Sequence, residues 1–329
     1  MDNYEIVYAA DNNFAPVLGT SLVSLFENNK DININITIFD SGISENNKNK
    51  IEEIFDKYHR NLPRWIVPVD LEDKIGVKLD IARGSLAVYS RLFLKDFFDD
   101  DVDKVLYIDS DTIITSSIKK LWNINLGKQI IAATKDAFSK FYRGNIELKE
   151  NDAMINAGVF LINLPEWKRQ GVEQQFLEYI CQKNGKVQLN DQGVLNHVLN
   201  NKIYFLNPNY NLLSLYYDYS YKEMEEYRKP VNFYSNSEIK NAKNNPIIIH
   251  YTSAFNTIRP WYQNSTHPLK KVWKDYYDKS PWKNVSLKVG KKKGIKRILF
   301  SIYNILPKQV SLRVASIFQV YIRPLLKSS

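Results

Sequence analysis

Cysteine is almost missing: Cys181 stands alone, so no intrachain disulfide can form. The chain therefore offers no Cys-based metal site and no reason to require an oxidising compartment. Long hydrophobic runs are also missing; nothing approaches the ~20 apolar residues of a spanning helix. The N-terminus enters a strand-like run almost at once, which leaves no room for a secretory signal, so a cytoplasmic protein is expected. Acidic residues are missing from one region only. After Trp282 there are eleven Lys and Arg and no Asp or Glu, while the preceding 282 residues balance at −2. The net charge of +9 thus belongs to the tail. That excludes a body-wide basic face of the kind nucleic acid needs, and no nucleic-acid partner is expected.

What is present alternates between strand and helix. Glu5–Ala10, Asn33–Phe39 and Trp65–Val69 read as strands. Pro16–Glu27 and Ser44–Tyr58, with Ser44 at the N-cap, read as helices between them. Strand–helix–strand alternation predicts a parallel, doubly wound sheet. Gly84–Phe98 then reads as helix, and Lys104–Ile108 as a central strand. Ile130–Thr134, Gly158–Asn163 and Ile247–His250 read as further strands, with helices at Pro165–Lys183 and Asp191–Leu199. Residues 200–245, rich in Asn and Tyr, read largely as loop.

The sharpest local signal is Val105-Leu-Tyr-Ile-Asp-Ser-Asp-Thr112. Side chains alternate along an extended chain, so Asp109 and Asp111 point the same way just past a buried strand, where open α/β sheets bind ligands. Two such carboxylates suit a hard divalent cation bridging to phosphate. A solvated turn is the plain alternative. A haloacid-dehalogenase-type hydrolase would use similar letters, but its Thr/Val falls four residues after the first Asp, where Ile113 stands here.

Further segments complete a pattern: Ile6-Val-Tyr-Ala-Ala-Asp-Asn-Asn13, Asp40-Ser-Gly-Ile-Ser44, Tyr89-Ser-Arg-Leu92, Asn156-Ala-Gly-Val-Phe-Leu-Ile-Asn163, Asn190-Asp-Gln192, His250-Tyr251 and Arg259-Pro-Trp261. Over residues 4 to 275 this order resembles glycosyltransferase family 8, the retaining enzymes that include lipopolysaccharide galactosyl- and glucosyltransferases and the glycogenins. The resemblance implies an α/β fold of GT-A type: one Rossmann-like, mixed, mostly parallel sheet flanked by helices, plus a basic helical C-terminal tail. It implies a catalytic domain over 1–282 that moves glucose or galactose from a UDP-hexose donor to a saccharide, glycolipid or glycoprotein acceptor. A role in cell-surface polysaccharide synthesis follows.

The same resemblance assigns residues. Asp109, Asp111 and His250 would hold Mn²⁺ or Mg²⁺; oxygen ligands with one imidazole suit Mn²⁺ better than Zn²⁺. Ala9, Ala10, Asp11 and Asn13 would meet the nucleotide, although capping a helix is the plain reading of Asp11. Ser110 lies within the metal motif. Arg91, on an apolar segment, needs an anion, either the diphosphate or neighbouring carboxylates. Asn156, Ala157, Asp191 and Gln192 would face the hexose, with Asp191 and Gln192 at the reacting centre. Gln192 is a poor nucleophile and Asp191 is the nearest carboxylate, so front-face attack is expected. One motif departs from the family: no Gly lies between His250 and Pro260, and Arg259 replaces a Lys that stands six residues after the His.

Residues 283–329 form a separate basic segment. Ile295, Ile298, Leu299, Ile302 and Leu306 recur near helical spacing among Lys292, Lys293, Lys296 and Arg297, and Val310, Val314, Ile317 and Tyr321 make a second stripe. Such a segment is expected to attach peripherally to an anionic inner membrane face without taking part in the chemistry. Packing on the core and a homo-oligomer interface are the alternatives. A self-glucosylating protein and a silent sugar-nucleotide-binding module are the competing functions.

Overall fold

The computed structural model describes residues 3–68, 72, 76, 78–79, 87–252, 257–290 and 305–326. Seven strands form one sheet in the order β3-β2-β1-β4-β7-β6-β8. These are β1 (Asn3–Ala10), β2 (Asn33–Asp40), β3 (Arg64–Ile66), β4 (Lys104–Ile108), β6 (Ile131–Lys135), β7 (Ile155–Asn163) and β8 (Ile203–Phe205). All neighbours are parallel except around β7, which runs against both β4 and β6. The fold is therefore the mixed, mostly parallel α/β sheet expected.

Alternation along the central strands explains why both faces are covered. Ile6 and Tyr8 of β1 and Leu106 and Ile108 of β4 enter one core, backed by the helix Ala15–Glu27. Val7, Val105 and Tyr107 enter the other, under the helices Val172–Gln182 and Asp191–Val198. Strands buried on both faces read as near-continuous apolar runs, as β4 does.

A second, three-stranded sheet was not expected: β5 (Thr112–Ile114), β10 (Ile248–His250) and β9 (Leu212–Leu213), in the order β5-β10-β9. The chain leaves β4, turns through Asp109-Ser110-Asp111 and enters β5 directly. β10 pairs antiparallel with β5 in a register that sets His250 opposite Thr112.

Three expectations fail locally. Within Gly84–Phe98, the described part is one helical turn, Ala87–Ser90, then a 3₁₀ turn at Lys95–Phe97. The buried Glu173 carboxylate accepts the N–H groups of Leu94 (2.8 Å) and Lys95 (2.7 Å), diverting donors a continuous helix would use. Pro165–Lys183 is two helices, Leu164–Arg169 and Val172–Gln182, separated at Gly171, whose φ of 58° only a glycine adopts cheaply. Residues 200–245 also hold, besides the short turns Pro208–Asn211 and Leu215–Asp218, the helices Tyr221–Arg228 and Asn236–Asn244, each opened by a capping box (Ser220 with Glu223, Ser235 with Glu238).

The C-terminal segment is not an appendage over its described part. The helix Lys308–Ile317 and the turns to Leu325 seat Leu312, Ser316, Gln319 and Val320 against the body. The Tyr142 hydroxyl donates to the Gln319 carbonyl (2.8 Å), and the Gln188 and Asn145 amides donate to the Pro324 carbonyl (3.1 and 2.9 Å). The stripe from Ile295 to Ile302 and its lysines lie outside the described residues. Among the described residues no helix is long and apolar enough to cross a membrane.

Candidate active site

The end of β4 and the antiparallel β5–β10 pair create the site. Tyr251 donates its N–H to the Asp111 carbonyl (2.9 Å), continuing that pairing and setting His250 beside the two carboxylates. One donor atom from each of Asp109, Asp111 and His250 lies within 4.8 Å of the others. His250 Nε2 is 3.1 Å from Asp111 Oδ1 and 3.7 Å from Asp109 Oδ2.

Their orientation is fixed from behind. The Asn156 Oδ1 accepts the Gly158 N–H (3.0 Å) and the Asn211 Nδ2 (2.9 Å). Asn211 therefore presents its own oxygen to His250 Nδ1, 3.0 Å away. An acceptor there assigns the ring hydrogen to Nδ1 and leaves the Nε2 lone pair facing the carboxylates. Gly158 completes the cradle: a Cβ at this position would overlap the His250 ring and come within 2.9 Å of Asp109 Oδ2. The donor set and the missing side chain both fit a divalent cation.

Arg91 resolves in favour of its carboxylate neighbours. Its guanidinium bridges Asp109 Oδ1 (2.9 Å) and Asp191 Oδ2 (3.1 Å), donates to the Ala157 carbonyl (2.8 Å) and lies over the Tyr107 ring at 4.4 Å. The Tyr107 hydroxyl also donates to Asp109 Oδ1 (3.0 Å). One oxygen of Asp109 is thus held by protein, and the other faces His250. Burial alone would disfavour a charge on Arg91, but Asp109 and Asp191 raise its pKa further.

Charges in the cluster are strongly coupled. Burial opposes ionisation of Asp111, yet His250 and Arg259 hold it at about 2. Burial likewise opposes a charge on His250, which Asp111 and Asp109 raise above its ordinary value. Burial pushes Asp191 up to about 6, with Arg91 opposing and Asp109 adding to the rise. Arg259 Nη1 reaches Asp111 Oδ2 at 2.7 Å.

The remaining expected residues border this cluster in different ways. Ser110 turns inward: its hydroxyl donates to the Ala9 carbonyl (2.7 Å), tying β1 to the acidic turn. The Ala10 carbonyl accepts from Ser41 (3.0 Å). Asp11 makes the capping contacts of its plain reading, one oxygen accepting the N–H groups of Asn13 (2.9 Å) and Phe14 (3.0 Å). Asn13 itself is exposed. Gln192 is held at both ends, accepting from the Ala157 N–H (3.2 Å) and donating to Asp136 Oδ2 (3.3 Å).

Sequence reading missed Asp136 and Asn211. Asp136 also accepts from Asn156 Nδ2 (2.9 Å) and so holds the Asn156 and Gln192 amides together. It follows the apolar strand β6 as Asp109 follows β4, a signal that was available. Asn211 sits in a polar loop and carried none. Asp136, Asn156, Gln192 and Arg259 line one cleft of about 530 Å³.

An acidic–imidazole cluster at the C-terminal edge of a mixed α/β sheet, joined through Arg259 to a polar cleft, defines a GT-A-type glycosyltransferase. The galactosyltransferase LgtC, whose crystal structure was solved with donor and acceptor sugar analogues, superposes with a TM-score of 0.69 at 25% identity, covering 85% of this chain and 99% of that one. General stress protein A of Bacillus subtilis is 24% identical over 85% of this chain and 95% of its own length. Lipopolysaccharide 1,2-glucosyltransferase of Escherichia coli K12 is 24% identical over 85% and 79%. Residues 5–265 match the model of glycosyl transferase family 8, and the chain belongs to that family.

Proposed function

We propose that this chain is a retaining hexosyltransferase that moves glucose or galactose from a UDP-sugar to a saccharide, glycolipid or glycoprotein acceptor. The observation that carries this reading is the Asp109–Asp111–His250 cluster, pre-oriented by Asn211 and Gly158. A Mn²⁺ or Mg²⁺ ion held there would stabilise the diphosphate leaving group without protonating it. Arg259, beside Asp111, adds a second positive charge for that diphosphate. Asp11 has a second carboxylate oxygen beyond its capping contacts, suited to the imide N–H of uracil, and Ala9, Ala10 and Asn13 border the same strand end.

Asp191 and Gln192 stand toward the hexose. Asp191 is fixed by Arg91 and Gln192 by Asp136, which suits holding a positive sugar centre better than swinging in as a nucleophile. Attack from the face the diphosphate leaves, with that diphosphate taking the acceptor proton, accounts for retention.

The tail supports attachment to a membrane surface. Val310, Val314, Ile317, Phe318 and Leu325 are exposed on the helix and turns whose other side packs on the body, Leu325 to 70%.

Release of UDP from UDP-glucose and UDP-galactose, with and without Mn²⁺, tests the donor and metal. Turnover unchanged in EDTA overturns the metal reading. UDP release matched by hexose added to the protein itself would mark self-glucosylation, and no release at all a silent binding module.

A further inference from the structure

The cleft lined by Gln192 and Arg259 also carries charge that no part of the site above uses. Arg228, the last residue of the helix Tyr221–Arg228, and Arg323, from the C-terminal segment, both line it. They come from distant parts of the chain and converge on one phenol. Burial raises the pKa of Tyr142, and the charges of Arg323 and Arg228 both oppose that rise.

Among the described residues neither guanidinium has a carboxylate partner. The Nε of Arg228 is buried with no hydrogen-bond partner. Arg323 donates to a neutral amide oxygen, Gln319 Oε1, at 3.1 Å. The nearby acids are engaged elsewhere: Glu223 by Lys308 (2.6 Å) and Glu226 by Arg313 (3.2 Å). Asp136, the one carboxylate lining the cleft among the described residues, accepts from the Ala137 N–H and from the Asn156 and Gln192 amides. A half-buried arginine with an unpaired donor is a costly arrangement unless an anion completes it.

We propose that Arg228 and Arg323 form an anion subsite at the acceptor end of the cleft, so that the acceptor bears a phosphate or carboxylate on or next to the sugar that receives the hexose. This rests on the transferase reading above. Arg259, which pairs with Asp111, marks the diphosphate side, and Asp136, Asn156, Gln192 and the arginine pair line the same cleft. Two guanidiniums matched to one tetrahedral or planar anion provide both energy and geometry. The C-terminal segment would then be part of the acceptor site, contributing Arg323 and an apolar wall at Leu326.

The test uses the full chain with Mn²⁺ and whichever UDP-hexose it hydrolyses. Acceptors are offered in pairs: octyl glucoside and octyl galactoside against their 6-phosphates and the corresponding uronides. At least a tenfold higher kcat/KM is expected for the charged members. Arg323→Gln and Arg228→Gln should each reduce that ratio several-fold, and Arg323→Lys should restore part of it. In parallel, the UDP-saturated protein is titrated with inorganic phosphate, whose binding should weaken at least tenfold in Arg323→Gln; thermal melting verifies that each variant is folded. Equal use of charged and neutral acceptors by the wild type, or a preference untouched by both Gln variants, overturns the subsite. An Arg323-dependent preference for UDP-glucuronate over UDP-glucose would overturn it in favour of an acidic donor. If no UDP-sugar is turned over, the transferase reading fails by itself, and the phosphate titration alone decides the anion site.

Discussion

Gly158 carries no chemistry, yet it sets the width of the Asp109–Asp111–His250 cradle, because any side chain there would occupy the space of the His250 ring. Gly158→Ala should weaken Mn²⁺ affinity at least tenfold by displacing His250 or Asp109. Asp111→Asn should lose Mn²⁺-dependent turnover while melting close to the wild type. Metal titration and a thermal scan separate the two, since only Gly158→Ala also introduces a steric clash. Asp191 gives a pH prediction. Its carboxyl titrates at about 6, above the ordinary carboxylate range, because burial favours the neutral form. If the ionised carboxylate faces the positive sugar centre, kcat rises as pH increases through about 6 and levels above it. The inflection should be absent in Asp191→Asn, and a profile unchanged by that substitution would remove Asp191 from the chemistry. Asp11→Asn keeps the capping oxygen but loses the free carboxylate oxygen. UDP affinity should therefore fall several-fold with little change in stability, and an unchanged affinity leaves Asp11 as a cap only.

The elements that sequence made legible are those whose signal is local. β1 and β4 are buried on both faces and carry continuous apolar runs, and Asp109 and Asp111 follow the second of them. His250 is different. Its apolar approach was readable, but its partner strand β5 lies far away in the chain, and only the antiparallel register places it against Asp111. Pairing between distant strands leaves no periodicity in either one. Arg91 looked helical because its neighbours are apolar; the carboxylate of Glu173 and the two aspartates it bridges decide that segment instead. The helices within 200–245 were legible and were overlooked. Ser220-x-x-Glu223 and Ser235-x-x-Glu238 announce them, but Asn and Tyr obscured their helical period. Each Ser accepts an N3 backbone N–H, so Ser220→Ala or Ser235→Ala should cost about 1 kcal/mol in denaturant unfolding. A cost near zero would mean these helices are held by tertiary packing alone.

At the scale of the whole molecule, composition marks the tail as a distinct charge block but does not give its relation to the body. Eleven cations without a single acid read as a membrane-attaching segment, with packing on the core as an alternative; over its described part Lys308 and Arg313 pair with Glu223 and Glu226. Leu312 and Val320 are buried on the body side of the same segment. Cutting the chain after Trp282 would therefore do more than remove a charged segment. It would uncover those two side chains, each stabilising by roughly 2 kcal/mol, and remove the acceptors of the Tyr142, Gln188 and Asn145 hydrogen bonds. The truncated protein should melt lower, and the loss should be greater for transfer to an acceptor than for UDP-sugar hydrolysis. The exposed stripe can be tested without that damage. Val314 and Ile317 are 52% and 54% exposed, so Val314→Glu and Ile317→Glu should change stability by less than about 0.5 kcal/mol. If the stripe enters the interfacial region of a bilayer, the same changes should abolish flotation with anionic liposomes. Wild-type flotation should weaken with salt, because the attraction of the lysines to the surface is screened while the apolar contribution is not. A wild-type protein that ignores anionic vesicles, with Glu variants that differ from it in sedimentation, would instead make the stripe a contact between copies of this chain.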